Sequence, residues 1–117
     1  MQHMFCYNEL HTKSPEAAKK FYGEMFGWEM KDLPYGGGGT YTTIETGEGA
    51  GGGLQKSDAP SHWLTYILVD DVKLATKRAT SLGARVMVDT QTVPDMGVFS
   101  VLADPTGAPF AIWQKLS

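Results

Sequence analysis

Apolar and polar residues follow one another in an order that predicts strands and one helix in the first half of the chain. Ser14, Pro15 and Glu16 predict a helix start, with Ser14 as the capping hydroxyl, and apolar residues then recur at helical spacing up to Gly27. Pro34 is expected to end the second strand. The strands are predicted over residues 4–11, 28–33, 40–46 and 49–55.

The same series of patterns begins again after a polar stretch at 56–61. A helix capped by Asp70 or Asp71 is predicted to end at Gly83. Its apolar face is expected to contain Val72, Ala75, Ala79 and Leu82. Alternation of Val86 and Val88 predicts one strand, and residues 104–107 predict a tight turn. The strands of this half are predicted over residues 62–69, 84–92, 97–103 and 108–115.

The predicted order of elements is therefore βαβββ, and this order occurs twice along the chain. This order predicts an α+β fold in which two curled mixed sheets carry their helices on the outside. A chain of 117 residues is the size of one domain. We therefore expect a single domain over 1–117, with one module at about 4–56 and the other at about 62–115.

Composition excludes several classes of protein. A net charge of -3 argues against a nucleic-acid partner, and one cysteine cannot form an internal disulfide or a cysteine-based zinc site. The longest apolar run, 63–69, is far shorter than a membrane helix, so no membrane partner is expected. The first residues lack the pattern of a signal peptide, and we expect a cytoplasmic protein.

Glycines are concentrated in one part of the chain. Nine of the 14 lie between residues 36 and 53, and residues 47–52 match the G-x-G-x-x-G pattern of dinucleotide-binding folds. That motif requires a helix to open at its third glycine. Residues 53–60 have no helical periodicity and end at a proline, so the match is interpreted as chance. We expect Gly36–Gly39 to form a turn and Gly47–Gly53 to lead into the fourth strand.

Three segments in this order resemble one superfamily. They are SPEAAKKFYGEMFGW at 14–28, VDDV at 69–72 and LADPTGAPF at 102–110. Together with the doubled βαβββ order, they resemble the vicinal oxygen chelate superfamily, which includes glyoxalases, bleomycin-resistance proteins and extradiol dioxygenases. The resemblance covers about residues 4–115 and is nearest to the glyoxalase-like subgroup. It implies two half-shells forming a cup, and in the enzymes a divalent metal on the cup floor.

The metal ligands of the family do not carry over to this sequence. The four positions implied by the resemblance are Tyr7, Gly53, Leu64 and Ala111. Glycine, leucine and alanine side chains offer no ligand atom, and neutral tyrosine is a poor one. A shift by one residue would turn each side chain to the other sheet face. We therefore expect no metal cofactor.

Strand periodicity predicts which side chains line the cup implied by the resemblance. Glu9 is the first candidate for a catalytic base or a ligand acceptor, because burying a carboxylate is costly unless it is paired. Its alternative is a structural pair with His11, Tyr66 or a backbone N–H. His11 is a second catalytic candidate, with a rim position as its alternative. The predicted ligand-binding residues are Tyr7, Glu9, Tyr41, His62, Leu64, Tyr66, Phe99, Ala111 and Trp113.

These observations leave three functions open. The leading one is a metal-free protein of the glyoxalase and bleomycin-resistance type that holds an aromatic or planar small-molecule ligand. The first alternative is a lyase, isomerase or dioxygenase-like enzyme with Glu9 as base, or with a non-standard metal site from Glu9, His11 and His62. The second is a dimeric interaction module without a ligand. The resemblance also implies a homodimer.

Overall fold

A computed structural model describes residues 3–35 and 39–116, with only the backbone of Tyr35. Two helices and eight strands follow the predicted doubled order, so the α+β prediction is confirmed. The elements are β1 (Phe5–Thr12), α1 (Pro15–Phe26), β2 (Glu29–Tyr35), β3 (Gly39–Glu45), β4 (Gly51–Lys56), β5 (His62–Leu68), α2 (Val72–Ser81), β6 (Arg85–Val93), β7 (Gly97–Ala103) and β8 (Pro109–Lys115).

Residues 7–64 form one compact unit. Its strands lie in the order β2-β3-β4-β1, where β2, β3 and β4 pair antiparallel and β4 pairs parallel with β1. The core consists of Leu10, Ile44 and Leu54. Ala18 and Tyr22 of α1 pack against this core, so alternate residues of β1 face the helix as expected.

The residues up to Cys6 and those from Thr65 onward form the other compact unit. Its strands follow the order β5-β8-β7-β6, with β5 and β8 parallel and the remaining pairs antiparallel. Val69, Val72, Leu102 and Ile112 make the core, and Ala75 and Ala79 of α2 pack against it. The boundary between the two units falls inside β1 and inside β5.

The first module differs from its predicted form at two places. Ser14 stands at the N-cap of α1, but its side chain makes no capping hydrogen bond, so the predicted cap is wrong. The helix begins instead with Pro15 and the acidic Glu16, which suit the first turn without a hydroxyl cap. β2 runs through Pro34 to Tyr35, because an outermost strand tolerates a residue without an N–H.

The second module differs in one helix residue and one strand. Asp71, not Asp70, caps α2 and accepts a hydrogen bond from the Leu74 N–H. Leu82 was expected on the buried face but is exposed at the C-cap, and the buried residues of α2 are Val72 and Thr76. Two register shifts interrupt β6, and Val88 is therefore exposed rather than alternating into the core.

The glycine-rich segment is a turn followed by a strand. Gly47 and Gly49 have positive φ angles that suit glycine, and β4 begins at Gly51. No helix opens at Gly52, which confirms that the dinucleotide pattern is a chance match. Gly36, Gly37 and Gly38 lie outside the described residues. Neither described helix has the length and apolar character required to cross a membrane.

Candidate functional site

A chain of hydrogen bonds surrounds the carboxylate of Glu9. The side chain of Glu9 is only 9% exposed. Its Oε2 accepts from the Tyr41 hydroxyl at 2.7 Å, and its Oε1 lies 2.8 Å from His11 Nε2. The Tyr7 and Tyr41 hydroxyl oxygens are 2.6 Å apart. We call Tyr7, Glu9, His11 and Tyr41 the Glu9 cluster.

Strand geometry brings the cluster together. Tyr7, Glu9 and His11 are alternate residues of β1 and therefore share a face. β4 lies between β1 and β3, and its Gly53 pairs with both Glu9 and Thr43. Tyr41 therefore reaches Glu9 across a strand that has no side chain at this point.

Gly53 is required by this arrangement. A Cβ at position 53 would overlap the Tyr41 hydroxyl and clash with the Tyr7 hydroxyl. The two tyrosine oxygens thus occupy the space that a fourth-strand side chain would fill. A larger residue would force the rings away from Glu9.

The tyrosines of the cluster keep their protons. Burial, together with the nearby Glu9 carboxylate and the hydrogen bonds to Tyr7 and Glu9, raises the pKa of Tyr41 far above its ordinary value. Burial also raises the pKa of Tyr7, with a smaller contribution from Glu9. Because an ionised carboxylate only accepts, Tyr41 donates to Glu9 and Tyr7 donates to Tyr41. The chain of donors therefore points toward Glu9.

His11 links the cluster to His62. The two imidazole rings stack at a centroid distance of 5.1 Å and an interplanar angle of 15°. His62 Nδ1 lies 2.8 Å from the Pro60 carbonyl oxygen, which holds the ring in this orientation. Four ring side chains are therefore connected to one buried carboxylate. His11 is partly buried and in contact with Glu9, and its catalytic role and its rim position both stay predictions.

The positions implied for the family metal do not fit a metal ion. Leu64 and Ala111 are buried and carry no donor atom, and the space above Gly53 holds tyrosine hydroxyls. The alternative trio Glu9, His11 and His62 was expected to converge if it bound a metal. Within residues 3–35 and 39–116, however, no three His, Cys, Asp or Glu side chains are grouped suitably for a metal ion.

Three predicted ligand-binding aromatics lie together in the other compact unit. The Tyr66 ring centroid lies 6.3 Å from that of Phe99 and 6.5 Å from that of Trp113. Tyr66 pairs with Ala111 across β5 and β8, and Phe99 pairs with Trp113 across β7 and β8. Period-2 reasoning placed these residues on a common face, and their roles in ligand binding stay predictions.

Within the described residues, a group of aromatic side chains surrounds Tyr22. Tyr22 stacks with Phe26 and Trp28 and meets Phe21 and Trp63 edge-on. Helical spacing predicts that apolar residues of α1 share a face, but it does not show that Phe21 and Phe26 stay exposed.

Comparison with known proteins agrees with the fold. The family model described as "Glyoxalase-like domain" matches residues 5–113. A solved protein from Bacillus halodurans, hypothetical protein BH1468, superposes with a TM-score of 0.73 at 15% identity, covering 100% of this chain and 97% of that one. Methylmalonyl-CoA epimerase from Mycobacterium tuberculosis gives 0.72 at 11% identity, covering 97% and 88%.

Two longer proteins are similar in sequence. "Putative glyoxylase CFP32" of Mycobacterium tuberculosis is 36% identical over 113 residues, which are 91% of this chain and 43% of that protein. "Anthracycline biosynthesis protein DnrV" of Streptomyces peucetius is 30% identical over 125 residues, 92% of this chain and 45% of its own length. The chain thus spans less than half the length of these relatives. Since the family model covers nearly every residue, the chain belongs to the glyoxalase-like domain family.

Proposed function

We propose that this glyoxalase-like chain binds a small molecule with an aromatic or planar group, without the divalent metal of the family's enzymes. The observation that carries the proposal is the Glu9 cluster, in which one nearly buried carboxylate is bordered by ring side chains. Small-molecule sites combine apolar and aromatic walls with a few placed polar groups. The cluster supplies both within the Tyr7–Leu64 unit.

The chemistry of the cluster suits a ligand that donates a hydrogen bond from a hydroxyl group. The tyrosine hydroxyls stay protonated, and Glu9 is already the acceptor for Tyr41 and His11. A ligand hydroxyl can donate to Glu9 in place of one of these partners without leaving a buried charge unpaired. One relative is named for the biosynthesis of an anthracycline, a compound of fused aromatic rings, which supports this ligand class.

The test is a binding titration with the anthracycline doxorubicin, followed by its fluorescence. We expect saturable binding to the unmodified protein, weakened at least tenfold by Glu9→Gln, because a hydrogen bond to a charged group contributes about 1.5–3 kcal/mol. Glu48→Gln, a change of the same kind at an exposed loop residue, is the matched control and should leave the affinity unchanged.

Two results would overturn the ligand proposal. If the protein does not bind doxorubicin saturably, the dimeric interaction module becomes the better hypothesis. Equal affinity of the Glu9→Gln variant would place the ligand away from the cluster. Metal analysis tests the other half of the proposal, since stoichiometric divalent metal that is lost in Glu9→Ala would refute a metal-free site.

The second candidate is a lyase or isomerase in which Glu9 acts as a general base. The contact between Glu9 Oε1 and His11 Nε2 favours it, because this pair can accept a proton and pass it on. Turnover of the hemithioacetal of methylglyoxal and glutathione, abolished by Glu9→Gln, would select the enzyme. We also infer, as the family resemblance implies, that the chain acts as a homodimer and in the cytoplasm.

A further inference from the structure

We propose that Gln55 is a further ligand-binding residue, whose side-chain amide donates a hydrogen bond to a carbonyl group of the ligand. Gln55 is half-buried in β4 and is not a member of the Glu9 cluster. This role rests on the proposed function and narrows its ligand class. The ligand carries a carbonyl group in addition to the hydroxyl group that donates to Glu9.

Strand pairing places Gln55 on the face of the sheet that carries the Glu9 cluster. Gln55 pairs with His11 of β1 on one side and with Tyr41 of β3 on the other. Side chains of directly paired residues lie on the same face of a sheet. Period 2 along β4 agrees, because a Cβ on Gly53 would point at the hydroxyls of the two cluster tyrosines. Gln55 therefore lies in a row between two rings of the cluster.

Gln55 provides the polar group of β4 on this face. Gly51, Gly53 and Gln55 are alternate residues of β4 and share the face, and two of the three have no side chain. Leu54, on the other face, is fully buried in the core against residues of α1. A ligand that approaches the Glu9 cluster over β4 therefore meets backbone and the Gln55 amide.

The amide of Gln55 is available to a ligand. Within residues 3–35 and 39–116, its polar atoms make no hydrogen bond to another residue. In the same part of the chain every fully buried side-chain nitrogen or oxygen has a partner, so this amide is not sealed in the core. The hydroxyl hydrogens of Tyr7 and Tyr41 are already donated within the cluster. The amide nitrogen of Gln55 adds two donors, which a ligand carbonyl can accept.

Glu9 and Gln55 are spaced to bond to two different oxygen atoms of one ligand. They stand on neighbouring strands, and because Glu9 pairs with Gly53, they lie two residues apart along the strand direction. Two residues along a strand span about 6.6 Å. An aromatic ligand with a hydroxyl and a carbonyl on different ring carbons can meet both groups. The ligand class is therefore an aromatic ketone or quinone that also carries a hydroxyl.

Displacement of doxorubicin by two matched compounds tests the role of Gln55. The compounds meta-hydroxyacetophenone and meta-ethylphenol have the same hydroxyl and nearly the same size, but only the first has a carbonyl. Gln55→Met keeps the length of the side chain and removes the amide. It should raise the inhibition constant of meta-hydroxyacetophenone about fivefold, the value of one neutral hydrogen bond, and leave that of meta-ethylphenol unchanged. Lys56→Met, at an exposed neighbour on the other face of β4, is the control and should change neither constant.

The outcomes separate the role of Gln55 from the proposed function. Suppose that doxorubicin binds and that Glu9→Gln weakens its binding. The proposed function then stands, and the role of Gln55 is overturned if Gln55→Met changes both inhibition constants equally or neither of them, or if neither compound displaces doxorubicin. If doxorubicin does not bind saturably, both proposals fail. An unchanged constant for meta-ethylphenol, together with far-ultraviolet circular dichroism, shows that the Gln55→Met variant is folded.

Discussion

At the scale of single residues, sequence reasoning named every member of the Glu9 cluster as a site residue but did not predict the bond between Tyr41 and Glu9. Alternation along one strand placed Tyr7, Glu9 and His11 on a common face, because period 2 is a local property of the backbone. The bond from Tyr41 depends on the register of β3 and β4 and on Gly53 between them. Register between distant segments is a tertiary property, so no local pattern could name Tyr41 as the partner of Glu9.

The raised pKa values of the cluster's tyrosines predict a loss of stability in strong alkali. In the unfolded chain a tyrosine loses its proton near pH 10, whereas Tyr41 and Tyr7 retain theirs in the folded protein. The unfolded state then binds fewer protons, so the free energy of unfolding falls as pH rises above about 10. Below that pH the contribution of the tyrosines is constant.

Tyr41→Phe should therefore reduce the steepness of this decline by about one proton, or about 1.4 kcal/mol per pH unit. The measurement is urea unfolding at several pH values between 8 and 11. The unmodified protein is the comparison, and identical slopes in the two proteins would contradict the assignment.

At the scale of elements, the type and order of every described helix and strand followed from the sequence. The errors concern positions where a neighbour decides the outcome. Pro34 stays in β2 because that strand is outermost, and Val88 turns outward because β6 shifts register twice. Both helices have an oxygen-bearing residue before their first turn, but only one of the two residues caps. Residue preference at the N-cap identifies a residue that can cap a helix, but it does not fix the side-chain rotamer that the capping hydrogen bond requires.

Substitution of the N-cap residue of each helix compares a side chain that caps with one that does not. Asp71→Ala should lower the free energy of unfolding by about 1 kcal/mol, because the Asp71 carboxylate accepts from the Leu74 N–H. Ser14→Ala should change it by much less, since the Ser14 side chain makes no capping bond to α1. Chemical denaturation of the two variants measures both values. A loss for Ser14→Ala as large as that for Asp71→Ala would show that Ser14 caps in solution.

At the scale of the whole molecule, the doubled βαβββ order was sufficient to identify the family. Two helix starts and the turn at 104–107 lie at fixed places in that order, and the joint pattern is far more specific than any one motif. The sequence alone could not identify a ligand class, because ligand binding depends on which side chains the fold brings together. The number of cooperative units is likewise a property of the whole chain, and we propose that residues 1–117 unfold as one domain.

We expect one cooperative transition because β1 and β5 are each divided between the two compact units. Phe5 and Cys6 of β1 belong to one unit while Tyr7–Thr12 belong to the other, and β5 is divided after Leu64. Unfolding either unit alone would break strands that the other requires. We therefore expect two-state unfolding, in which probes placed in each unit report the same transition.

Tryptophan fluorescence can follow the two units separately. Trp28 and Trp63 lie in the Tyr7–Leu64 unit, and Trp113 lies in the other. Trp113→Phe leaves only the first pair to report, and the double variant Trp28→Phe with Trp63→Phe leaves only Trp113. Far-ultraviolet circular dichroism follows the unfolding of the whole chain in each variant. If the chain unfolds as one domain, the fluorescence midpoint in urea should equal the circular dichroism midpoint of the same variant. Two domains that unfold independently would give a different result. The fluorescence midpoint would then lie above the circular dichroism midpoint in one variant and below it in the other.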